Sequence, residues 1–507
     1  MDSNTTGGDN VAVGIDALQA NTTGSQNIAI GGEAMFSNTT ASYSTAVGYT
    51  AGYSNTTGVI QAFGRRALYS NTTGTQSTAF GYNSLDQNTT GNYNTAVGSQ
   101  ALEANTTASD NTAVGYQAGF SNTTGTRNTL LGSNAGYTNA TDSYQTYIGY
   151  NAGYYASGAY NTAVGDRSLE SLSGSTGSWN TSIGHATLAS VSSGTYNCGM
   201  GVSTLGSNTT GNYNTALGTQ SLAANTTAVE NVAVGFQALT TNITGAYNNA
   251  VGVQALRFNT TGSNNVASGQ QALYNNTTAD ANTAVGYQAG LGNTTGQENA
   301  FFGTYAGRGI TTGNANTCIG IHAGSWGGGA IPDLITGSRN VMLGYGASPN
   351  GSADDNSITI AAPTAGASPT GGKGSNTGFI LPGSGGMYQG NNSSSWSTTS
   401  DRRLKKNIVD NTTGLDAITQ VQVRNFEYRT EDEITELDAQ NIIRKEGLQL
   451  GVIAQEIQQV LPDMVKEEST GVLSVDPDNM TWYLVNAVKE LKQQLDEANA
   501  RIAALES

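Results

Sequence analysis

The chain has 507 residues, 67 of them Gly but only 7 Pro and 2 Cys, and a formal net charge of −16. Two cysteines exclude a disulfide framework, and the acidic balance works against direct attraction to nucleic acid or an anionic membrane surface. No segment approaches the ~20 consecutive apolar residues of a membrane span, and the opening Met1-Asp2-Ser3-Asn4 has neither the basic nor the apolar region of a secretory signal, so neither membrane insertion nor secretion by such a signal is expected.

Charge divides the chain in two. Residues 1–399 hold 8 Lys/Arg and 16 Asp/Glu, and residues 400–507 hold 12 and 20. Charge density therefore rises about fivefold after residue 399, although each part carries a net charge of −8. A weakly charged Gly/Asn/Thr/Ala polymer meets an ordinary charged globular domain.

An internal repeat runs from residue 1 to about residue 348. Its most regular form is Asn94-Thr95-Ala96-Val97-Gly98-Ser99-Gln100-Ala101-Leu102, followed by Glu103-Ala104-Asn105-Thr106-Thr107. The Gly recurs from Gly14, Gly31 and Gly48 through to Gly303, Gly320 and Gly344, and fifteen of the nineteen spacings are 17 residues. This period is too short for a helical hairpin, whereas β-branched residues between Asn, Thr and Gly suit a strand bounded by turns. A mainly β fold is predicted, a β-roll or β-solenoid shaft of 17-residue coils. Large apolar residues recur just before the Gly (Val13, Ile30, Val47) and four residues after it (Leu18, Met35, Leu68), and both positions are expected to supply the core. Two or three residues per coil cannot make a core alone, but stacked coils make a continuous one. Even so the core is thin, which points to several chains sharing it. The repeat resembles the β-roll heads of trimeric adhesins and the repetitive shafts of phage fibres, with a longer unit than is usual in those heads. The resemblance implies a homotrimer.

The recurring Asn-Thr-Thr-Gly, as at Asn21 to Gly24 and Asn122 to Gly125, reads as a turn, because Asn bonds its own backbone and Gly supplies positive φ. The same tripeptides are N-glycosylation acceptors, a reading disfavoured by the lack of a secretory signal. Tyr49, Tyr82, Tyr116, Tyr150, Phe236, Tyr287 and Tyr345 follow the repeat Gly and could stack on sugars, though the file is interrupted in most coils. Carboxylates are too few for a calcium ion in every turn and show no recurrent pairing of the kind glycoside hydrolysis needs. No metal or cofactor is expected. Cys198 and Cys318 lie seven coils apart, roughly 34 Å at about 4.8 Å per coil, so they cannot bond within one chain.

Residues 349–399 break the period. The run through Pro363, Pro369, Gly371, Gly372 and Gly374 to Ile380-Leu381-Pro382 and Trp396 reads as a Gly/Ser/Pro-rich neck or small β-tip.

A small α+β domain is predicted over 400–480. Gln422-Val423-Arg424-Asn425-Phe426-Glu427-Tyr428 alternates like a strand, and Leu450-Gly451-Val452-Ile453-Ala454-Gln455-Glu456-Ile457 runs from a strand end into a helix stopped by Pro462. Over 481–507, Leu484, Val488, Leu491, Leu495, Ala498, Ile502 and Leu505 keep a 4-3-4-3 spacing, the core seam of a left-handed coiled coil; a helix packed on its own domain is the alternative. With Ser400-Asp401-Arg402-Arg403-Leu404-Lys405-Lys406-Asn407-Ile408 ahead of them, these stretches resemble the intramolecular chaperone domain of phage tail fibres and endosialidase-type tail spikes. The resemblance covers roughly 400–507. It implies a domain that drives trimerisation of the fibre upstream and then cuts itself off between Thr399 and Ser400.

The only histidines, His185 and His322, lie in the repeat, so no Ser-His-Asp set can assemble near this motif within one chain. A Ser-Lys pair remains, since a lysine whose pKa is lowered can take a hydroxyl proton. The family resemblance assigns the nucleophile to Ser400 and the base to Lys405. The plain alternative is a turn-capping Ser400 and a solvated Lys405 and Lys406. The enzyme activity so implied is a single autocatalytic cut, with no external substrate.

Three functions stay open on these residues. A virion tail fibre would bind a host-surface receptor such as a glycan, attach to a viral particle or tail protein and be assembled in the host cytoplasm. A cell-surface trimeric adhesin would need an anchor. An ice- or solute-binding β-solenoid would need a flat Thr-x-Thr file, whereas the adjacent Thr-Thr of the repeat sits in a turn.

Overall fold

A three-residue strand recurring once per coil pairs most simply with its own counterpart one coil on, and twenty such strands, Val11–Val13 to Val341–Leu343, do so in succession. The structure, a computed structural model, describes residues 2–325, 334–362, 370–382, 387–389, 397–398, 402, 405–430, 433–434, 446–467 and 472–506. It falls into two compact units, Met1–Thr399 and Ser400–Ser507.

In the first unit Val11–Val13 pairs in parallel with Ile28–Ile30, which pairs with Thr45–Val47, and so on in unbroken register to Val341–Leu343. Ile358–Ala362 and Gly378–Pro382 continue the parallel ladder past the last repeat Gly. The antiparallel strands Met387–Gln389 and Ser397–Thr398 follow. The result is the long parallel β-solenoid expected from the period.

The filling of each coil differs from expectation. Alternate strand residues face opposite sides, and the middle one, usually Ala, points inward: Ala29, Ala46, Ala96 and Ala113 are fully buried. The large residue just before the Gly therefore points outward, and Val13, Ile30 and Phe80 are exposed. Residues four after the Gly, such as Leu18, Leu68 and Leu102, are buried as expected. The interior between strand and opposite turn thus holds one large side chain faced by Ala.

Exceptions to that rule come in compensating sets. Gly119, Gly136 and Gly153 replace the buried Leu in three successive coils, and the space is taken by Leu130 and Tyr147 at the Ala position. A Cβ on Gly153 would lie 2.5 Å from the Tyr147 ring. Phe301 sits in the same way between Gly290 and Gly307, and Ile60 against Gly52. In each set the large residue occupies room that a side chain at the Gly would otherwise fill.

Two buried asparagine ladders run along the interior. In the first, an amide of the Asn-Thr-Thr turn donates to the Asn one coil back, where there is one, and to its own turn: Asn105 Nδ2 reaches Asn88 Oδ1 at 2.8 Å and Ala108 O at 3.1 Å. In the second, the Asn before the strand accepts from the next coil: Asn111 N donates to Asn94 Oδ1 at 3.1 Å, and Asn111 Nδ2 to Gly125 O at 2.9 Å. These bonds satisfy polar groups that burial would otherwise leave costly.

The second unit holds two antiparallel pairs, Arg424–Phe426 with Gln449–Gly451 and Val465–Glu467 with Leu473–Val475. Its helices are α1 (Leu415–Ile418), α2 (Ala454–Val460) and the 27-residue α3 (Met480–Glu506). The strand at 424–426 and the strand-to-helix run ending before Pro462 lie where the sequence places them. Ile457, Leu461, Met464 and Tyr483 form its small core. No helix among the described residues is long and apolar enough to cross a membrane.

Candidate functional site

The segment after the Ser-Asp-Arg-Arg-Leu-Lys-Lys motif is held by α3. Asn486 Nδ2 donates to the carbonyls of Asn411 (2.9 Å) and Thr413 (3.1 Å), and the Glu490 carboxylate accepts from Leu415 N at 2.7 Å. Glu490 thereby satisfies a backbone donor at the start of α1, which Gly414 at its N-cap cannot do with a side chain. The same helix turns Tyr483 and Ala487 into the core, where the Tyr483 hydroxyl donates to the Asp463 carboxylate. That hydrogen bond, together with burial, pushes the phenol up to about 12.

Residues Thr399 and Ser400, the expected cleavage pair, lie outside the described residues. Lys405 is exposed, and its backbone N–H donates to Arg402 O at 3.1 Å.

The expected seam lies along one face of α3. Leu484, Val488, Leu491, Leu495, Ile502 and Leu505 are 46–87% exposed, and Ala498 is exposed too. The buried side of the helix is the neighbouring one, through Tyr483 and Ala487. The first turns of α3 thus pack on their own unit through Tyr483, Asn486, Ala487 and Glu490, while the seam residues stay exposed.

In the shaft, the turn asparagines Asn21, Asn55, Asn88, Asn122 and Asn208 are fully buried, and each amide donates to its own turn carbonyl. The folded coil does not present them for glycosylation. The aromatic residues after the repeat Gly, including Tyr49, Tyr116 and Tyr150, are exposed. Continuous ring stacks occur at other positions. Tyr144, Tyr160, Trp179, Tyr196 and Tyr213 stack successively with centroids 4.0–6.1 Å apart and planes within 10°. Phe36–Tyr53–Tyr69 and Phe120–Tyr137–Tyr154 form two shorter stacks. The longest was visible as an aromatic five residues before the repeat Gly in five consecutive coils. Its rings cover one another's faces, so they mainly tie coil to coil, across the stretch where Gly149, Gly165 and Gly184 depart from the 17-residue spacing.

Residues 400–466 match the family described as chaperone of endosialidase. The match begins at the residue where the two compact units divide. No solved structure matches the chain.

Proposed function

We propose that this chain is a trimeric, tail-spike-like virion fibre that engages a host-surface receptor, and that its C-terminal unit drives assembly and then detaches itself. The observation that carries this is the match of residues 400–466 to the chaperone of endosialidase, joined to an apolar seam on α3 that its own chain leaves open. Bringing the seams of three chains together buries side chains worth roughly 1.5–3 kcal/mol each when fully covered.

The cut balances without a cofactor. Ser400 Oγ attacks the carbonyl carbon of Thr399 while its hydroxyl proton passes to the Lys405 amine. The Thr399–Ser400 C–N bond then breaks as the Ser400 nitrogen takes up a proton, which leaves Thr399 esterified to Oγ. Water hydrolyses the ester to give a Thr399 carboxylate and a free Ser400 amine and hydroxyl. Since Lys405 is exposed in one chain, a neighbouring chain supplies the desolvation, and cutting follows assembly. The links from Asn486 and Glu490 to residues 411–415 give the seam helix a hold on the chain next to the motif.

Without added protease, the protein should yield a 399-residue shaft and a 108-residue fragment beginning at Ser400. Ser400→Ala and Lys405→Ala should stay full-length yet assemble, whereas Lys406→Ala should still be cut. Denaturing electrophoresis with N-terminal sequencing decides: efficient processing of Ser400→Ala, or a fragment starting elsewhere, rejects the assignment.

A further inference from the structure

The outward side of the solenoid's parallel sheet carries two files of residues, one and three positions before each repeat Gly. In the first file, from Val13 to Leu343, nineteen of the twenty residues are apolar, Ser268 being the exception, and none is buried. Phe80 is 58% exposed and Leu131 44%. In the second file, from Val11 to Val341, sixteen of the twenty are Thr, Val or Ile. Neither file contains a single Lys, Arg, Asp or Glu. The margins, five before the Gly and two after it, are mostly Gln, Asn and aromatic residues, with charges at Asp9, Asp110, Arg127, Glu230, Glu298 and Arg339 on one side and at Asp16, Glu33, Arg66 and Arg167 on the other.

An apolar centre with polar and aromatic margins is the anatomy of a protein interface. Twenty coils at about 4.8 Å make the strip about 90 Å long, far beyond the scattered apolar patches normal on a monomer. We infer that the occupant of this strip is a second copy of this chain, running parallel with coil against equal coil. A matching surface must present the same rise over the same length, and an identical solenoid does so throughout. The open seam of α3 independently asks for a parallel copy at the C-terminal end. This inference rests on the fibre reading above and names the face through which the shafts meet.

Cys198 belongs to the second file and is half-exposed, while Cys318 faces inward and is buried. Only Cys198 is therefore a native reporter of the strip. In the assembled full-length protein, a bulky maleimide should label Cys198 about tenfold or more slower than in chains that do not assemble. The double variant Phe80→Asp/Leu131→Asp should lose the multimer by light scattering and regain fast Cys198 labelling, with its β circular dichroism kept. Thr107→Asp, on the exposed turn, should retain wild-type mass. Wild-type mass in the double variant, or fast Cys198 labelling in the assembled wild type, overturns the inference while leaving the multimer in place. A wild-type protein that is monomeric by light scattering sinks the fibre reading itself.

Discussion

The two units solve the problem of burial in opposite ways. Among the described residues of the first unit most inward side chains are matched by one a coil away, so Ala, Leu and Asn files satisfy themselves along the chain. Among those of the second, a small core around Ile457, Leu461, Met464 and Tyr483 supports a 27-residue helix whose apolar seam faces outward. A repeat stabilises itself by stacking, and a small domain with an open seam is stabilised by partners. In the proposed fibre the shaft supplies length, and its outer strip and the seam of α3 bring the chains together.

The sharpest way to break this contrast is to put charge into the seam. Leu491→Asp with Leu495→Asp should abolish assembly of the intact chain, since each carboxylate would be buried unpaired between helices; light scattering should find single chains. Next in size are changes inside the coil. Tyr147→Ala should cost about 3–5 kcal/mol by opening a cavity in a continuous stack. Gly153→Leu added to it should restore part of the loss, because Tyr147 fills the space a Leu occupies in other coils; equal melting of the single and double variants would refute the shared-volume account.

Gly115→Val should cost about 3 kcal/mol or more, because φ at this position is 141° and a Cβ would overlap the Gly132 carbonyl of the next coil. Tyr116→Ser, one residue on and exposed, should shift the melting temperature little. The smallest effect concerns the C-terminal unit alone. Folding raises the Tyr483 phenol from 10.0 to about 12, so the fold favours its protonated form. Its contribution is fully present below pH 10 and is lost as pH rises through about 12. Denaturant titrations of wild type and Tyr483→Phe between pH 9 and about 12 should differ in slope in that direction only.

Much of the architecture was legible in the sequence because period and spacing survive without knowledge of contacts. The repeat Gly marks each coil, the 4-3-4-3 spacing from Leu484 to Leu505 marks the seam, and the runs at 422–428 and 450–457 mark strand and helix. The phase of the strand was not legible. Ala96 and Val97 are both apolar, and three residues are too few to show which one points inward. The asparagines read as turn formers, which they are, yet their ladder depends on a neighbour 17 residues away. The exchange of Leu for Gly at 119, 136 and 153 is meaningful only once the coils beside Leu130 and Tyr147 are known. At the motif, sequence gives residue types and order, while Lys405 exposure is a property of the folded chain.

The most direct test is to express residues 1–399 with and without residues 400–507 and to measure mass in solution by light scattering. The account expects trimeric shafts from the full-length chain, with the C-terminal fragment released, and aggregated or monomeric chains from the shaft alone. Soluble trimers of equal thermal stability from residues 1–399 alone would contradict it.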